Sequence, residues 1–261
     1  MESKKRKVRA RVLSQKMIAP DIYDMRIAID LGLKAAAAGQ FIGIYPKDKS
    51  TLLPRPISIC EADDGILRLV YRVQGKGTRE FSAYKEGEEL EILAVLGNGF
   101  PTGNVKGKNV VLMGGGIGIP PLVELAKCLG KAGAEVTAVV GYRDGHLFLK
   151  EDLEKYGDVF IATEDGSVGI KGNVLTVMEK EQIQADVIMA CGPMAMLRGI
   201  KGFAEQKGIR AYISLEERMA CGVGACLGCV CKTKEKDTHS HVNSARICTD
   251  GPVFDAKEVD I

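Results

Sequence analysis

Four cysteines near the end of the chain have the types and spacing of iron–sulfur ligands. The pattern C-x4-C-x2-C…C, the ligand spacing of a plant-type [2Fe-2S] cluster, is formed by Cys221, Cys226, Cys229 and Cys248. Mostly small residues separate the first three, so a loop could wrap a cluster and direct backbone N–H groups at its sulfur atoms. The sequence therefore predicts one-electron chemistry with these four thiolates as metal ligands.

A structural zinc site is the alternative interpretation of these cysteines. Zinc ribbons usually present two C-x2-C pairs, whereas this segment has one short pair, a four-residue gap and a distant cysteine. Cys231 is a fifth candidate, because two residues after Cys229 its thiol would point the same way in an extended segment. Only Cys229 gives the ferredoxin spacing, so Cys231 ranks below it.

Length, composition and charge limit the class of protein. A chain of 261 residues fits two or three modest domains, and 46% apolar residues are enough to build ordinary cores. The net charge of +2 indicates no particular polyanionic partner. Eight cysteines without an apolar leader predict a cytoplasmic protein, because in a reducing cytosol clustered thiols bind metals or carry redox chemistry more often than they form disulfides.

Membrane and nucleic-acid partners are not expected. The longest apolar stretches, around Val110–Ala126 and Val187–Leu197, are interrupted by Gly and Pro and fall short of the roughly 20 residues of a membrane-spanning helix. The basic run Lys4–Lys7, with Arg9 and Arg11, is interpreted as a solvated edge strand. An aromatic content of only 5% provides no stacking platform for nucleic acid.

The first segment, residues 1–101, is predicted to form an antiparallel β-barrel. Short β-like runs follow one another with Gly-Gln, Asp-Asp-Gly and Glu-Gly turn signals and no helical pattern between them. Such closely spaced strands are typical of an antiparallel barrel. The predicted strands are Arg9–Leu13, Ile22–Ile29, Phe41–Tyr45, Pro56–Cys60, Leu67–Val73 and Glu89–Leu96.

The second segment, residues 102–213, alternates strands with helices, which predicts a Rossmann-like parallel sheet covered by helices. The third segment, residues 214–261, is too short for an extensive core, so a cluster would act as its staple. The fold class is thus multidomain, β followed by α/β. The predicted elements of the second segment are strands Val110–Met113, Val136–Val140, Val159–Ala162 and Val187–Ala190, and helix Leu122–Ala132.

A glycine-rich sequence, GGGIGIPP from Gly114 to Pro121, stands between an apolar strand and a helical pattern, which is the context of a phosphate-binding loop. Glycines let the backbone approach a pyrophosphate, and the following helix offers N–H groups and the positive end of its dipole. Pro121 stands where the usual fingerprint has a third glycine or alanine, so a tight structural turn is the alternative. Cys191-Gly192-Pro193, again after a strand, favours nucleotide binding.

The barrel segment adds Arg55-Pro56-Ile57-Ser58, in which the Arg can bind a phosphate and the Ser hydroxyl can hydrogen-bond a cofactor ring. The order R-P-x-S, G-x-G-x-x-P, C-G-P and cysteine cluster resembles the ferredoxin-reductase family of flavoproteins along nearly the whole chain. Within that family the sequence is most similar to the electron-transfer subunits of NAD-linked, two-subunit (class 1B) dihydroorotate dehydrogenases. The most specific stretches are Glu217–Cys226 and Arg246–Phe254.

The resemblance implies that the barrel binds FAD and that the second segment binds NAD(H). The residues implied for FAD are Arg55, Pro56, Ile57, Ser58, Val70, Tyr71, Arg72, Gly77 and Thr78. Those implied for the nicotinamide dinucleotide are Gly116, Gly118, Cys191, Gly192 and Pro193, with Cys191 near the nicotinamide. A packed barrel residue is the alternative for Tyr71. Many ferredoxin reductases end in an aromatic residue that covers the flavin, whereas this chain ends in Val259-Asp260-Ile261.

The resemblance also implies an electron-transfer role with no pyrimidine site on this chain. NADH carries a pair of electrons and a [2Fe-2S] cluster takes one at a time, so a flavin is needed between them. In the family reaction, an FMN-containing catalytic subunit oxidises dihydroorotate in pyrimidine biosynthesis, and the electrons pass through the cluster and FAD to NAD. The implied assembly is a heterotetramer. The three histidines are interpreted as surface groups, with a His239-x-His241 metal pair as the alternative.

Two other functions are consistent with the same motifs. One is the reductase subunit of a ferredoxin-linked NAD/NADP transhydrogenase or sulfide dehydrogenase, whose first cluster ligand tends to be Asp, so Cys221 favours the dihydroorotate system. The other is a zinc-stapled nucleotide-binding module without a redox role. A visible spectrum distinguishes this last class, because zinc and bound nucleotide are colourless.

Overall fold

Six strands close into an antiparallel barrel in the computed structural model, which describes residues 6–29, 36–236 and 241–261. They are β1 (Arg6–Ala19), β2 (Ile22–Ile29), β3 (Phe41–Tyr45), β4 (Arg55–Asp63), β5 (Ile66–Arg72) and β6 (Glu89–Leu96). Their order around the barrel is β1-β2-β5-β4-β3-β6, and a short helix, α1 (Lys76–Phe81), follows β5. The predicted barrel is confirmed.

The basic strand β1 shows why the barrel forms. Ala10 and Val12 are buried while Arg9 and Arg11 are exposed, the period-two alternation of a strand with one apolar face. The prediction of an edge strand is wrong, because β1 pairs with β2 on one side and with β6 on the other. Its basic side chains are solvated as predicted, and Arg9 pairs with a glutamate of β6. Lys4, Lys5 and His239 lie outside the described residues.

A seven-stranded sheet covered by helices forms the second part of the fold, and the predicted α/β organisation is confirmed. Its strands are β7 (Asn109–Gly115), β8 (Glu135–Tyr142), β9 (Asp158–Thr163), β10 (Ile170–Lys171), β11 (Val187–Cys191), β12 (Arg210–Ser214) and β15 (Val253–Asp255). Their order across the sheet is β10-β9-β8-β7-β11-β12-β15, and all neighbours are parallel except β12 and β15. The helices are α2 (Pro120–Lys131), α3 (Lys150–Glu154), α4 (Val174–Lys180) and α5 (Met194–Lys207).

The direction of strand addition reverses next to β7. From β7 the chain builds outward through β8 and β9, and it then returns to place β11 and β12 on the other side of β7. In open α/β sheets, ligands bind in the crevice at the carboxyl ends of the strands at such a reversal. The loops after β7 and β11 are therefore the expected walls of a nucleotide site.

The third segment contributes a small hairpin and one strand of the large sheet. The hairpin strands β13 (Val230–Lys232) and β14 (Ser244–Arg246) pair antiparallel, and β15 then pairs with β12 through Ser214↔Val253 and Tyr212↔Asp255. The residues after Cys248 thus return to the sheet. The domain limits at 101/102 and 213/214 stay predictions.

A buried ion-pair network joins the barrel to the helices of the sheet. Arg68 of β5 binds the Asp24 carboxylate through Nε and Nη2, and the same guanidinium contacts Glu61 at 2.7 Å and Asp152 of α3 at 3.1 Å. The Ala62 N–H donates to Glu124 Oε2 of α2 at 3.1 Å. Because Asp24 is buried and pairs with Arg68, loss of Arg68 would leave an uncompensated buried carboxylate, whereas Arg68 keeps Glu61 and Asp152 if Asp24 is lost. No helix in the described part of the chain is long and apolar enough to cross a bilayer.

Candidate functional site

A cleft between β4 and β5 brings the R-P-x-S motif opposite the predicted Val70–Arg72 strand. The ladder between the two strands runs from Asp63↔Ile66 only as far as Ile59↔Leu69. Beyond that point Arg55–Ser58 pairs with β3, and Val70–Arg72 pairs with β2. The main-chain groups that face each other across this opening have no strand partner there, which is the kind of surface that a planar cofactor could fill. The residues present therefore fit a flavin.

Arg55 and the start of α1 meet at one end of this cleft. A Cβ atom on Gly77 would lie 2.9 Å from Arg55 Nε, so the Arg55 side chain packs directly against this glycine. The Arg55 Nη1 donates to the Leu53 carbonyl at 2.6 Å, which fixes the side chain but leaves other N–H donors for a phosphate. The Thr78 hydroxyl accepts the N–H groups of Gln74 and Gly75, so its acceptor capacity supports the turn.

The side chains of Val70 and Tyr71 are not available to a cofactor. Val70 is 3% exposed and Tyr71 is 2% exposed. The Tyr71 ring stacks on Tyr23 with centroids 6.0 Å apart, and its hydroxyl donates to Gln15 Oε1 at 2.8 Å. Burial raises the pKa of Tyr71 far above its usual value. These two residues can meet a flavin through their main chain alone, whereas Arg72 is half-buried and reaches outward.

The glycine-rich loop and the Cys191-Gly192-Pro193 turn lie side by side at the reversal of the sheet. A Cβ atom on Gly118 would overlap the Cys191 carbonyl, so this glycine allows the two loops to touch. Gly116 has φ of +52°, and only Arg72 Nη2 would lie within 4 Å of a Cβ there. Gly116 is therefore the position of the loop with the most free space around it. Arg72, from strand β5 beside the cleft, is its nearest neighbour.

Cys191 ends strand β11 at the mouth of this crevice. Burial raises the pKa of Cys191 to about 12, and a hydrogen bond with Ser214 opposes that shift only in part. The thiol is therefore neutral at physiological pH. A neutral thiol can pack against a nicotinamide ring or accept a weak hydrogen bond, but it is not a thiolate nucleophile.

The hairpin β13–β14 brings the third and fourth cluster cysteines together. Its register pairs Val230 with Arg246, and one step further the Ile247 N–H donates to the Cys229 carbonyl at 2.8 Å. Cys248 follows immediately, and both thiols are buried, at 3% and 1% exposure. Cys229 and Cys248 are nineteen positions apart in the sequence, but the hairpin makes them neighbours in the structure.

The four cysteines influence one another's acidity: the pKa of Cys221 responds to Cys226, and the pKa of Cys248 responds to both Cys229 and Cys221. Among the described residues no three ligating side chains converge to hold a single metal ion. The choice of a [2Fe-2S] cluster over zinc therefore rests on the ferredoxin-type spacing of the four cysteines.

Backbone N–H groups surround the Cys221 thiol. Burial raises the pKa of Cys221, but the N–H groups of Val223, Cys226 and Ala225 and the Cys226 side chain together lower it to about 6. The Val223 N–H lies 3.4 Å from its sulfur. By contrast, burial and the Cys229 thiol raise the pKa of Cys248 to about 11. The small residues of this loop thus give the expected N–H cradle for thiolate ligands.

Cys231 lies within strand β13, two residues after Cys229. It sits opposite Ala245 in the hairpin, is half-buried, and packs against the core under the sheet. Burial raises the pKa of its thiol. Its position supports the ranking of Cys229 over Cys231 as a ligand.

One row of cross-strand neighbours connects the flavin cleft with the cysteine loop. Ser58 of β4 pairs with Phe41 of β3, and Phe41 pairs with Leu96 of β6. A Cβ atom on Gly222 would lie 3.2 Å from Leu96 Cδ1, so the residue after Cys221 packs directly on β6. With neighbouring strands about 4.8 Å apart, the cleft and the loop are separated by about 10 Å of barrel wall.

Comparisons with known proteins agree with this arrangement. Residues 216–260 match the family model for the iron–sulfur cluster binding domain of dihydroorotate dehydrogenase B. A dihydroorotate dehydrogenase B (NAD(+)) electron transfer subunit from Bacillus velezensis is 41% identical over 97% of this chain and 99% of its own length. A subunit of the same name from Streptococcus pneumoniae is 42% identical over 94% of both chains.

The chain belongs to the dihydroorotate dehydrogenase B electron transfer subunit family. The resemblance inferred from the sequence is confirmed, and the iron–sulfur assignment of the C-terminal segment prevails over zinc. A solved structure of an NADH-dependent reduced ferredoxin-NADP oxidoreductase is 30% identical, with a TM-score of 0.85 over 96% of this chain and 89% of its own. A ferredoxin NADP+ reductase from Neisseria gonorrhoeae, solved with FAD and NADP, shares the fold with a TM-score of 0.67 at 16% identity over 81% of this chain and 94% of its own.

Asn98 is a residue of this electron transfer subunit fold that the motifs do not indicate. It follows β6 in the sequence Gly97-Asn98-Gly99, which predicts only a turn. In the structure its side chain binds the main chain of the segment after Cys248. Contacts between residues this far apart in the chain leave no local sequence signal.

The nicotinamide preference expected for this family member follows from the loop after β9. Glu164 and Asp165 follow that strand, and the Ser167 N–H lowers the pKa of Asp165, so its carboxylate is charged at neutral pH. Carboxylates here would repel a 2′-phosphate, although Arg143 after β8 lies beside them. We expect kcat/KM for an artificial acceptor to be about tenfold higher with NADH than with NADPH. An equal or higher kcat/KM with NADPH would contradict this preference for NADH. The double variant E164Q/D165N should bring the two kcat/KM values closer together.

Proposed function

We infer that this chain carries electrons between a dihydroorotate-oxidising partner and NAD, through a [2Fe-2S] cluster and FAD. It is an NAD-linked oxidoreductase subunit of pyrimidine biosynthesis. The observation that supports this inference is the row of paired residues Ser58–Phe41–Leu96, which joins the strand of the proposed flavin motif to the strand that contacts the cysteine loop. When bound, the flavin and the cluster supply the conversion between electron pairs and single electrons.

The residues of the chain would bind and orient these groups. Arg55 would hold a phosphate of FAD, and Ser58 would hydrogen-bond its ring. The backbone at Gly116 would face the dinucleotide, with Gly118, Gly192 and Pro193 shaping the crevice and Cys191 beside the nicotinamide. The cluster ligands would be Cys221, Cys226, Cys229 and Cys248. The remaining members of the predicted flavin site, Pro56, Ile57, Val70, Tyr71, Arg72, Gly77 and Thr78, would shape the cleft.

The cysteine loop is also the proposed docking face for the FMN-containing catalytic subunit. Val223, Leu227 and Val230 are 41%, 62% and 41% exposed around the ligands, and the Cys226 thiol is itself exposed. Apolar side chains clustered on a surface mark protein interfaces. The complex would be a heterotetramer in the cytoplasm, with the partner flavin close to the cluster.

Reconstitution tests this function directly. We expect no dihydroorotate-dependent NADH formation from either subunit alone and clear formation from the mixture, because one subunit lacks a pyrimidine site and the other lacks the NAD site. A C229S variant should give an inactive mixture, and C231S should serve as the matched active control. Turnover by this chain alone, or neither complex nor gain with the cognate subunit, would contradict the proposal.

The second candidate is the reductase role in NADH-dependent reduced ferredoxin-NADP oxidoreduction. The similarity at a TM-score of 0.85 over 96% of the chain favours it. If the cognate dehydrogenase gives no gain while reduced ferredoxin supports NAD(P) reduction with a suitable partner, this second function replaces the first.

A further inference from the structure

Asn98, just after strand β6, forms three hydrogen bonds with the segment after Cys248. The Asn98 N–H donates to the Gly251 carbonyl at 2.7 Å, and Asn98 Nδ2 donates to the Asp250 carbonyl at 2.7 Å. Asn98 Oδ1 accepts the Val253 N–H at 3.2 Å. An amide side chain offers both donors and an acceptor, so Asn98 binds main-chain groups on both sides of this short segment at once.

The bound segment is tied closely to Cys248. The Arg246 carbonyl accepts N–H groups from Thr249, Asp250 and Gly251 at 2.7–3.2 Å. The Arg246 guanidinium binds the Asp250 carboxylate through Nε at 3.0 Å and Nη2 at 3.1 Å. Bidentate pairs of this kind add geometric specificity. The turn that contains Cys248 is therefore closed at both ends, and a displacement at Asp250 would move the thiol with it.

The end of β6 is itself fixed to the rest of the barrel. Gln40 Nε2 donates to the Gly97 carbonyl at 2.7 Å, next to strand β3. A Cβ atom on Gly97 would lie 2.9 Å from the Phe41 ring, whose residue pairs with Ser58 of the flavin cleft. Asn98 thus stands between two rigid units, one that carries the cleft and one that carries Cys248.

We propose that Asn98 is a positioning residue that fixes the distance between the flavin cleft and the iron–sulfur cluster. The inference rests on the proposed function, because it concerns electron transfer between those two sites. The rate of electron tunnelling falls exponentially with distance, so a small displacement of the Cys248 turn from β6 slows the transfer. Asn98 is not a ligand and lies outside the cleft, so it acts only through the turn.

The experiment compares holoprotein variants N98A and N98D with N109A. Asn109 is a matched control, because it is an exposed asparagine at the start of β7 and its side chain makes no hydrogen bond within the described structure. Iron, sulfide and FAD contents are measured first. Stopped-flow absorbance then follows the reduction of FAD by NADH and the subsequent reduction of the cluster. Amide exchange of the peptide around Val253 measures whether the hydrogen bond between the Val253 N–H and Asn98 is kept.

Removal of the side-chain hydrogen bonds of Asn98 should loosen the turn that contains Cys248 without loss of the cluster or FAD. For N98A we expect about tenfold faster exchange at Val253, the size expected for a lost hydrogen bond, together with slower cluster reduction and unchanged FAD reduction and cofactor contents. N98D keeps an acceptor for the Val253 N–H but loses the donor to Asp250, so exchange at Val253 should stay close to the parent while cluster reduction slows less than in N98A.

Four outcomes would overturn the inference. Unchanged cluster reduction in N98A, or equal slowing in N109A, excludes positioning by Asn98. Loss of iron in both Asn98 variants shows a role in assembling the domain rather than in setting a distance. If the unmodified holoprotein does not pass electrons from NADH to its cluster, the proposed function fails first and the positioning role fails with it.

Discussion

Serine substitution at Cys248 is expected to abolish the iron–sulfur cluster, and the same loss is expected for C221S, C226S and C229S. Thiolate ligation is the reason, because a serine hydroxyl is a far weaker acid and a harder ligand for iron. Cys248 and Cys229 are the two buried ligands, held by the Ile247–Cys229 main-chain hydrogen bond. Iron and sulfide content and the EPR signal after reduction measure the loss in anaerobically purified protein.

C231S is the matched control for this prediction. Cys231 lies in the same hairpin as Cys229, two residues away, so the substitution perturbs the same strand. Cys231 does not fit the ferredoxin spacing, so we expect normal iron content and an unchanged signal. A variant C231S without a signal, together with C229S that keeps one, would reverse the ligand assignment.

The parts of the fold that the sequence predicts are those with local signals. The barrel strands alternate apolar and polar residues, as Ala10 and Val12 do between basic neighbours, and this periodicity needs no distant partner. The loop Gly116–Gly118 is predictable for a similar reason, because a phosphate loop is a short motif between one strand and one helix. The spacing of the cysteines identifies the cluster because ligand geometry restricts the loop directly.

The parts that the sequence does not predict depend on contacts between distant segments. The three residues of β15 have no periodic pattern of their own, and their place beside β12 is decided by pairing across about forty residues. Tyr71 shows the same limit within a site. A tyrosine in a cofactor-lining strand reads as a cofactor contact, but the alternation of β5 turns its ring into the barrel core, where Gln15 satisfies its hydroxyl.

Gly118 shows how a correct motif can carry a different physical role. As part of G-x-G it is expected to face the dinucleotide, but in the structure its missing side chain makes room for the Cys191 carbonyl. The glycine thus lets the two walls of the crevice touch, and Gly116 provides the open surface. The motif is consistent with both roles because both require the same residue type.

Replacement of Arg55 by Ala should weaken FAD binding by roughly tenfold to a hundredfold. A charge-assisted hydrogen bond to phosphate contributes about 1.5–3 kcal/mol, and every 1.4 kcal/mol is a factor of about ten in affinity. Arg55 stands at the open end of the cleft between β4 and β5, held against Gly77 with N–H donors to spare. R55A should therefore be purified with clearly less FAD, and titration of the apoprotein with FAD measures the change in Kd.

R11A is the control for this variant. Arg11 is an exposed arginine on the same barrel, remote from the cleft on strand β1, so its loss changes the net charge equally without removing a phosphate contact. S58A should have a smaller effect than R55A, because it loses a neutral hydrogen bond. Full FAD occupancy and an unchanged flavin absorbance spectrum in R55A would show that Arg55-Pro56-Ile57-Ser58 is only a turn. The phosphate of FAD would then have to be bound by other hydrogen-bond donors of the barrel.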